Sequence, residues 1–287
     1  MPPDAPHTLP TTRRAFLQGA AAFAALCVLP SCRRDATGQP AAAATDLFGV
    51  PNTPRTPRFI AHRGAHSLAP ENSLPAFEEA AKRRLWAVET DIRRARDGSL
   101  VCCHNATLKH MFGVNARIAD LSFDEIKKHT FTRGNGLDAF PAERLRMPLF
   151  SEYLDICERH ACVPFIEIKD DVTGEVVRLL RDRKLERRAV ISSVNFAHIE
   201  AARAASKNIF VHHIFSTEEH LPRLARLGHA GLSWKRKELD ETAAALVEKT
   251  HKAGLRVCLR AADTRETALR MLELGLDYLP TNALLTL

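Results

Sequence analysis

From residue 58 onward, two hydrophobic rhythms take turns along the chain. Short apolar runs of four to six residues occur at Arg58–His62, Trp86–Asp91, Val163–Ile168, Ala189–Ser193, Ile209–His213, Ala230–Trp234, Leu255–Leu259 and Leu276–Leu279. Their length and their wealth of Val, Ile, Leu and Phe predict strands. Stretches with apolar residues three and four apart follow most of them: "LPAFEEAAKRR", "GEVVRLLRDRKL", "FAHIEAARAAS", "STEEHLPRLARLG", "ELDETAAALVEKTHKAG" and "TRETALRMLELG". These predict amphipathic helices, several closed by glycine, a common helix stop. One piece breaks the alternation. In "RRARDGSLVCCHN" the Asp97-Gly98 pair is a hairpin signal. The chain is expected to rise past the end of the second strand, turn, and return with His104 beside that strand's end. A longer segment, 105 to 150, then intervenes, with a helix-like "SFDEIKKHT" and a glycine-rich "TRGNGLDAF".

Strands that alternate with helices pair in parallel. Eight such units predict an α/β fold, a (β/α)8 TIM barrel of about 250 residues, with a hairpin and a long loop inserted after strand 2. A doubly wound open sheet is the alternative. The barrel is expected over residues 58–287. Residues 1–32 read as an export signal: Arg13-Arg14, then Phe16-Leu17 and an alanine-rich apolar run, ending in Leu29-Pro30-Ser31-Cys32. The paired arginines resemble a twin-arginine signal. Leu-Pro-Ser-Cys resembles a lipoprotein signal, in which Cys32 would be lipidated and tether the protein to a membrane; plain cleavage near Ser31 is the other reading. Residues 33–57, rich in Ala, Pro and small polar residues, read as a flexible linker. The expected destination is outside the cytoplasm, periplasmic or membrane-anchored.

The 287 residues are 45% hydrophobic and 26% charged, the balance of a globular chain. A net charge of +7 suggests anionic partners. The basic residues are scattered, with no stripe for a nucleic acid, which is therefore not an expected partner. Among the seven cysteines there is no C-x-x-C pair, so zinc is not expected. Export would permit a Cys157–Cys162 bridge, with core packing as the alternative.

Chemistry concentrates at the ends of the first three strands. Glu89 and Asp91 are two apart, as are Glu167 and Lys169, so each pair shares one face of its strand. His62 ends the first strand. Barrel enzymes place their chemistry at these C-terminal strand ends. Three carboxylates without thiols suit a hard divalent cation, Mg2+ or Ca2+.

In order along the chain stand His62-Arg63-Gly64, Pro70-Glu71-Asn72-Ser73, Glu89-x-Asp91, Asp97-Gly98, His104, Met147-Pro148-Leu149 and Glu167-x-Lys169. This series resembles the glycerophosphodiester phosphodiesterase family, over roughly residues 58 to 287. The resemblance implies a TIM barrel that hydrolyses glycerophosphodiesters with a divalent cation. It implies His62 and His104 as general acid–base pair, and Glu89, Asp91 and Glu167 as metal ligands. Arg63 and Lys169 would hold phosphate oxygens, and Glu71 and Asn72 would complete the first loop at the substrate. Three departures stand out: Asn105 follows His104 where the family has aspartate, "CLRAAD" replaces a Trp-Thr-Val-Asn pattern, and Asn282 follows Thr281 where aspartate is usual. Arg260 is expected to add positive charge to the altered substrate wall. Ser193, His213, Trp234 and Lys235 are further site-facing candidates: Trp234 would stack on a substrate group or else pack at the rim, and His212 and His213, being adjacent, would split between core and rim. His66 reads as a loop or rim residue. Two other functions compete: a phospholipase D-like or phosphoinositide-cleaving activity on intact lipids, and a catalytically weak phospho-ligand binding protein.

Overall fold

The computed structural model describes residues 52–287 apart from Lys237, Arg260 and Thr286. The export signal, Cys32 and most of the linker therefore lie outside the described residues, as does Arg260. Among the described residues the chain runs β1 (Phe59–Ala61), α1 (Leu74–Lys82), β2 (Ala87–Arg94), β3 (Leu100–Cys102), α2 (Lys109–Phe112), α3 (Phe123–Ile126), α4 (Phe150–His160), β4 (Val163–Ile168), α5 (Thr173–Asp182), β5 (Val190–Ser193), α6 (Phe196–Ala205), β6 (Phe210–Ser216), α7 (His220–Leu227), β7 (Ala230–Trp234), α8 (Glu241–Lys252), β8 (Arg256–Cys258), α9 (Arg265–Glu273) and β9 (Leu279–Thr281).

Eight of these strands are parallel, in the order β8-β7-β6-β5-β4-β2-β1-β9. The two end strands do not form a ladder, but Asp277 N donates to Val257 O at 2.9 Å and Ala262 N to Pro280 O at 2.7 Å. The result is a nearly closed barrel with helices outside, as predicted. The last strand lies at Leu279–Thr281, beyond its expected Leu276–Leu279. Leu276 and Asp277 still belong to the turn after α9: Leu276 N bonds back to Met271 O, and only Leu279 N reaches β1, at Arg58 O.

Strand periodicity divides the side chains into two layers. One set, including Ile60, Ala87, Phe165, Val190, Phe210 and Tyr278, fills the barrel interior. The opposite set, including Val88, Ile166, Ile191, Val211, Leu232 and Leu279, packs against the helices. Side-chain caps start several helices, with Ser73, Asn195, Asp240 and Thr264 each accepting from a first-turn backbone N–H.

The hairpin forms as expected. Gly98 takes φ +85°, which favours glycine, and β3 returns antiparallel with Cys102 opposite Ile92. The segment after it is no wandering loop. Leu108, Met111, Phe112, Ile126, Phe131 and Met147 bury one another in a second small core, with the Phe112 and Phe131 rings stacked at 4.4 Å. The "SFDEIKKHT" helix is only one turn, α3, closed by a Ser122–Glu125 capping box. Helix α4 was not foreseen, although Phe150, Tyr153, Leu154 and Cys157 carry the i, i+3, i+4, i+7 pattern and are all buried. Tyr153 locks it to the barrel, donating to Val88 O at 2.6 Å and accepting from Phe165 N at 3.1 Å. Cys157 and Cys162 are free buried thiols, as are Cys102, Cys103 and Cys258. The packing reading therefore holds over the bridge. Among the described residues no helix is long and apolar enough to cross a membrane.

Candidate active site

At the C-terminal ends of the strands a cavity of about 400 Å³ opens, lined on one side by His62, Arg63, Glu89, His104, Glu167 and Lys169. Sheet register assembles this group. Asp91 sits opposite Glu167 across β2 and β4, and Cys103 N donates to Asp91 O at 2.9 Å, which sets His104 beside the carboxylates. The hairpin thus does what its Asp-Gly turn predicts.

The first loop is held in an uncommon conformation. Arg63 and Asn72 have φ of +54° and +53°, and Gly64 has +80°. A Cβ on Gly64 would stand 2.7 Å from the Ala76 carbonyl carbon, so glycine is required there. Left-handed Arg63 carries strain of about 1 kcal/mol or more. Specific bonds over-determine it: Arg63 N donates to Glu89 Oε2 at 2.7 Å, and Asn72 N to Arg63 O at 3.0 Å.

Glu89, Asp91 and Glu167 each offer a carboxylate oxygen within 4.8 Å of the others. Two like charges at that separation repel by about 3 kcal/mol at an effective dielectric of 20. Lys169 Nζ lies 2.6 Å from Glu167 Oε1 and 3.1 Å from Asp91 Oδ1, and Arg63 Nε lies 3.5 Å from Asp91 Oδ2. Two cations thus face three carboxylates. Burial, then the charges of Asp91 and Glu167, push the Glu89 carboxyl well up. Glu167 is also raised, by burial and by Asp91, against the pull of Lys169. Asp91 goes the other way: burial opposes its charge, but Lys169 and Arg63 outweigh it and hold it low. Asp91 Oδ1 is buried and receives no well-directed hydrogen bond despite the nearby ammonium. An orphaned carboxylate oxygen within an all-oxygen donor set is what a hard divalent cation would satisfy, so these residues fit one.

Each histidine is oriented by an asparagine. His62 Nδ1 lies 2.7 Å from Asn282 Oδ1, and His104 Nδ1 lies 3.0 Å from Asn105 Oδ1. Asn282 is itself clamped: its backbone N donates to Asp263 Oδ1 at 2.6 Å and its Nδ2 to Asp263 Oδ2 at 2.9 Å. The amide oxygen must therefore face His62, which places the ring proton on Nδ1 and leaves the Nε2 lone pair free. Burial lowers the pKa of both histidines, with the charge of Arg63 as a further cause at His62 and the asparagine bond opposing it in each.

Several expected site residues stand one step back. Asn72 is 2% exposed and does not line the cavity. Instead its Nδ2 donates to Asp91 Oδ2 at 2.9 Å and its Oδ1 accepts from Thr90, so it aims a carboxylate rather than binding substrate. Glu71 accepts from Arg63 Nη1 at 2.9 Å and orients the guanidinium. Trp234 is a clear correction. Its indole is 6% exposed in the layer between β7 and α8 and donates to Thr250 Oγ1 at 3.0 Å. Neighbouring Ser233 faces the cavity instead. The same one-residue inversion holds on β5 and β6, where Ser192 and His212 face in while Ser193 and His213 face out. Lys235 does not line the cavity either. The ladder Glu167–Ser192–His212 carries the inward parity around the barrel. Sequence reasoning missed Asp263 as the clamp on Asn282. It also placed His66 only at the rim, whereas His66 Nε2 shares Asn282 Oδ1 at 3.0 Å.

An α/β barrel with an acidic cluster that could hold a metal ion, two cations and two tethered histidines at its C-terminal mouth defines a class, the barrel enzymes with their site at the C-terminal strand ends. The particular family follows from sequence. The profile of the Glycerophosphoryl diester phosphodiesterase family matches residues 62–286, and the chain belongs to that family. It is 36% identical over 111 residues to Glycerophosphodiester phosphodiesterase 1 of Mus musculus, a match covering 38% of this chain and 33% of the mouse protein. The chain thus spans about a third of the mammalian relatives it matches. Glycerophosphodiester phosphodiesterase of Caldanaerobacter subterraneus is 24% identical over 233 residues, 78% of this chain and 93% of that protein. An Oleispira antarctica phosphodiesterase, solved in complex with the product sn-glycerol-3-phosphate, superimposes with a TM-score of 0.68 at 23% identity, covering 79% of this chain and 93% of that one. A putative glycerophosphoryl diester phosphodiesterase from Silicibacter pomeroyi gives 0.66 at 22% identity, covering 79% and 90%. At these identities the structures speak for the barrel.

Proposed function

We propose that this protein hydrolyses glycerophosphodiesters to an alcohol and glycerol 3-phosphate, using Mg2+ or Ca2+ held by Glu89, Asp91 and Glu167, with His62 and His104 as the acid–base pair. One observation carries the reading: both histidines, the carboxylate cluster, Arg63 and Lys169 line a single cavity. A phosphodiester is anionic, so attack on phosphorus needs its oxygens neutralised. A bound divalent cation would supply part of that charge. Arg63 and Lys169, kept cationic by Asp91 and its neighbours against the cost of burial, supply the rest. One imidazole takes on Nε2 the proton of the attacking group, a water or a substrate hydroxyl; the other, protonated beside the phosphate anion, gives its proton to the departing alkoxide, and a cyclic phosphate formed by the hydroxyl route is opened by water with the two roles exchanged. The asparagines hold both rings for this exchange.

The substrate is a small-molecule glycerophosphodiester. We further propose export from the cytoplasm, with a membrane tether at Cys32, on the strength of residues 1–32 alone. The activity is tested by release of glycerol 3-phosphate from glycerophosphocholine, with and without divalent cation, beside His62→Ala. Cation-dependent release that falls at least a hundredfold in the variant supports the reading. Equal activity in both proteins, or none with either cation, sinks it.

A further inference from the structure

The charges of the cavity are segregated. Arg63, Glu89, Glu167 and Lys169 stand on β2 and β4 or just beyond β1 and β4. The opposite wall, from the residue after β5, the irregular end of β6 and the segment after β8, is built from Val194, Ile214, Phe215, Leu259 and Ala261, with no charged side chain among these described residues. Two members of that wall are exposed to an unusual degree, Val194 at 52% and Phe215 at 58%. Among the described residues they are two of only three large apolar side chains so exposed, the third being Leu68, which does not line the cavity.

Phe215 is also strained. Its φ is +58°, a region that a bulky L residue rarely adopts. The cause is a register shift between β6 and β7, where pairing breaks after His213 and resumes at Ser216 opposite Trp234. The irregular stretch turns Ile214 and Phe215 toward the mouth, with Phe215 N bonded to Ser233 Oγ at 3.3 Å. Bulges beside active sites commonly re-aim a side chain in this way. A backbone that bears strain to hold a phenyl ring half in water gains nothing for folding; the ring's apolar surface is recovered only when something covers it.

We propose that Phe215 and Val194 form an apolar lip that binds a hydrocarbon substituent on the alcohol opposite glycerol, so that the preferred substrate class is an amphiphilic glycerophosphodiester rather than one with a small hydrophilic headgroup. The inference rests on the phosphodiesterase reading and deepens it. Three features favour a substrate chain as the occupant. The lip lines the same cavity as Arg63 and Lys169, across from the wall that would hold the phosphate. Among the described residues it carries no carboxylate of the kind a charged amine headgroup would call for. The glycerol moiety, with two free hydroxyls, suits the polar half and leaves the apolar half to the other ester.

The test is a series of glycerol 3-phosphate monoalkyl esters, ethyl, butyl and hexyl, kept below their micelle concentrations and assayed with the full chain and with Phe215→Ala and Val194→Ser. The expected kcat/KM rises about tenfold from ethyl to hexyl, the scale of apolar selectivity an enzyme pocket achieves. The hexyl-to-ethyl ratio falls toward one in Phe215→Ala and partway in Val194→Ser. A ratio near one in the unaltered protein, or an unchanged ratio in Phe215→Ala, overturns the proposal. Calorimetric binding of hexyl phosphate against ethyl phosphate, in the presence of divalent cation, separates this from a failure of the catalytic reading. If no ester is hydrolysed but hexyl phosphate binds about tenfold tighter and Phe215→Ala removes the difference, the lip stands and the hydrolytic reading falls. Equal binding of the two phosphates overturns the lip whatever the activity.

Discussion

Asn282→Ala isolates the role of the amide that orients His62. In the native site its Oδ1 accepts from His62 Nδ1 at 2.7 Å and from His66 Nε2 at 3.0 Å, and Asp263 fixes its orientation through two bonds. Truncation leaves a buried imidazole N–H without an acceptor. A buried donor deprived of its partner costs about 1–3 kcal/mol. His62 can escape part of that cost only by moving its proton to Nε2 or turning its ring, and either change removes the Nε2 lone pair from service. If about 2 kcal/mol of this separates the working ring from the escaped one, kcat falls about 30-fold. Arg63 and Lys169 are untouched, so KM should stay within about threefold. The assay is steady-state hydrolysis of a glycerophosphodiester at saturating cation, with the His62 tautomer read from the ring nitrogen shifts by NMR. Asn282→Asp should recover the Nδ1–H tautomer and, by placing a negative charge on the ring N–H, raise the His62 pKa, moving the acid limb of the rate profile to higher pH. A kcat within twofold of the native value in Asn282→Ala, or a loss carried entirely by KM, would refute this account.

Three further outcomes follow from the geometry. Divalent cation at a hundred times its dissociation constant should stabilise the fold by about 2.7 kcal/mol, a Tm rise of about 5–10 °C for a domain of this size. Because Glu89 and Glu167 hold protons more tightly than ordinary carboxyls, the rise should be smaller at pH 5.5 than at pH 7.5 and lost in Glu89→Gln, both readable by scanning calorimetry. Burial pushes the His212 pKa down to about 3, so the folded state resists a proton that the unfolded chain accepts near pH 6.5. Its contribution is therefore complete above pH 6.5 and declines as the pH falls, by about 2 kcal/mol between pH 7 and pH 5, and His212→Asn should show a shallower acid loss in urea titrations. Tyr153→Phe removes an acceptor from Phe165 N and a donor from Val88 O, and should lower stability by about 2 kcal/mol in the same titration.

Much of the active site was legible because the strand period is short and rigid. Glu89 with Asp91, and Glu167 with Lys169, share a face by counting alone, and the Asp97-Gly98 turn announced the return leg that carries His104. The same counting erred for Ser193, His213 and Trp234, because which parity faces inward depends on the register of each strand against its neighbour. The segment from 105 to 150 read as a loop because its small core joins residues scattered across the hairpin and several one-turn helices. Helix α4 carried a plain amphipathic pattern, and its absence from the sequence expectations reflects the long loop drawn up to its first residue.

What the sequence by itself determined is local. Alternating periods yield strands and helices in parallel order, and short motifs place acidic, basic and imidazole groups at strand ends. Those outcomes follow from backbone stereochemistry within a few residues. What only the tertiary structure decided is relational: that Asn72 aims Asp91, that Asp263 clamps Asn282 onto His62, a residue 220 positions from Asn282 along the chain, and that a broken register turns Phe215 to the cavity mouth. Such contacts join groups whose separation in sequence carries no information about their separation in space. Hydrogen-bond and packing energies act only once the closing barrel has brought them within reach.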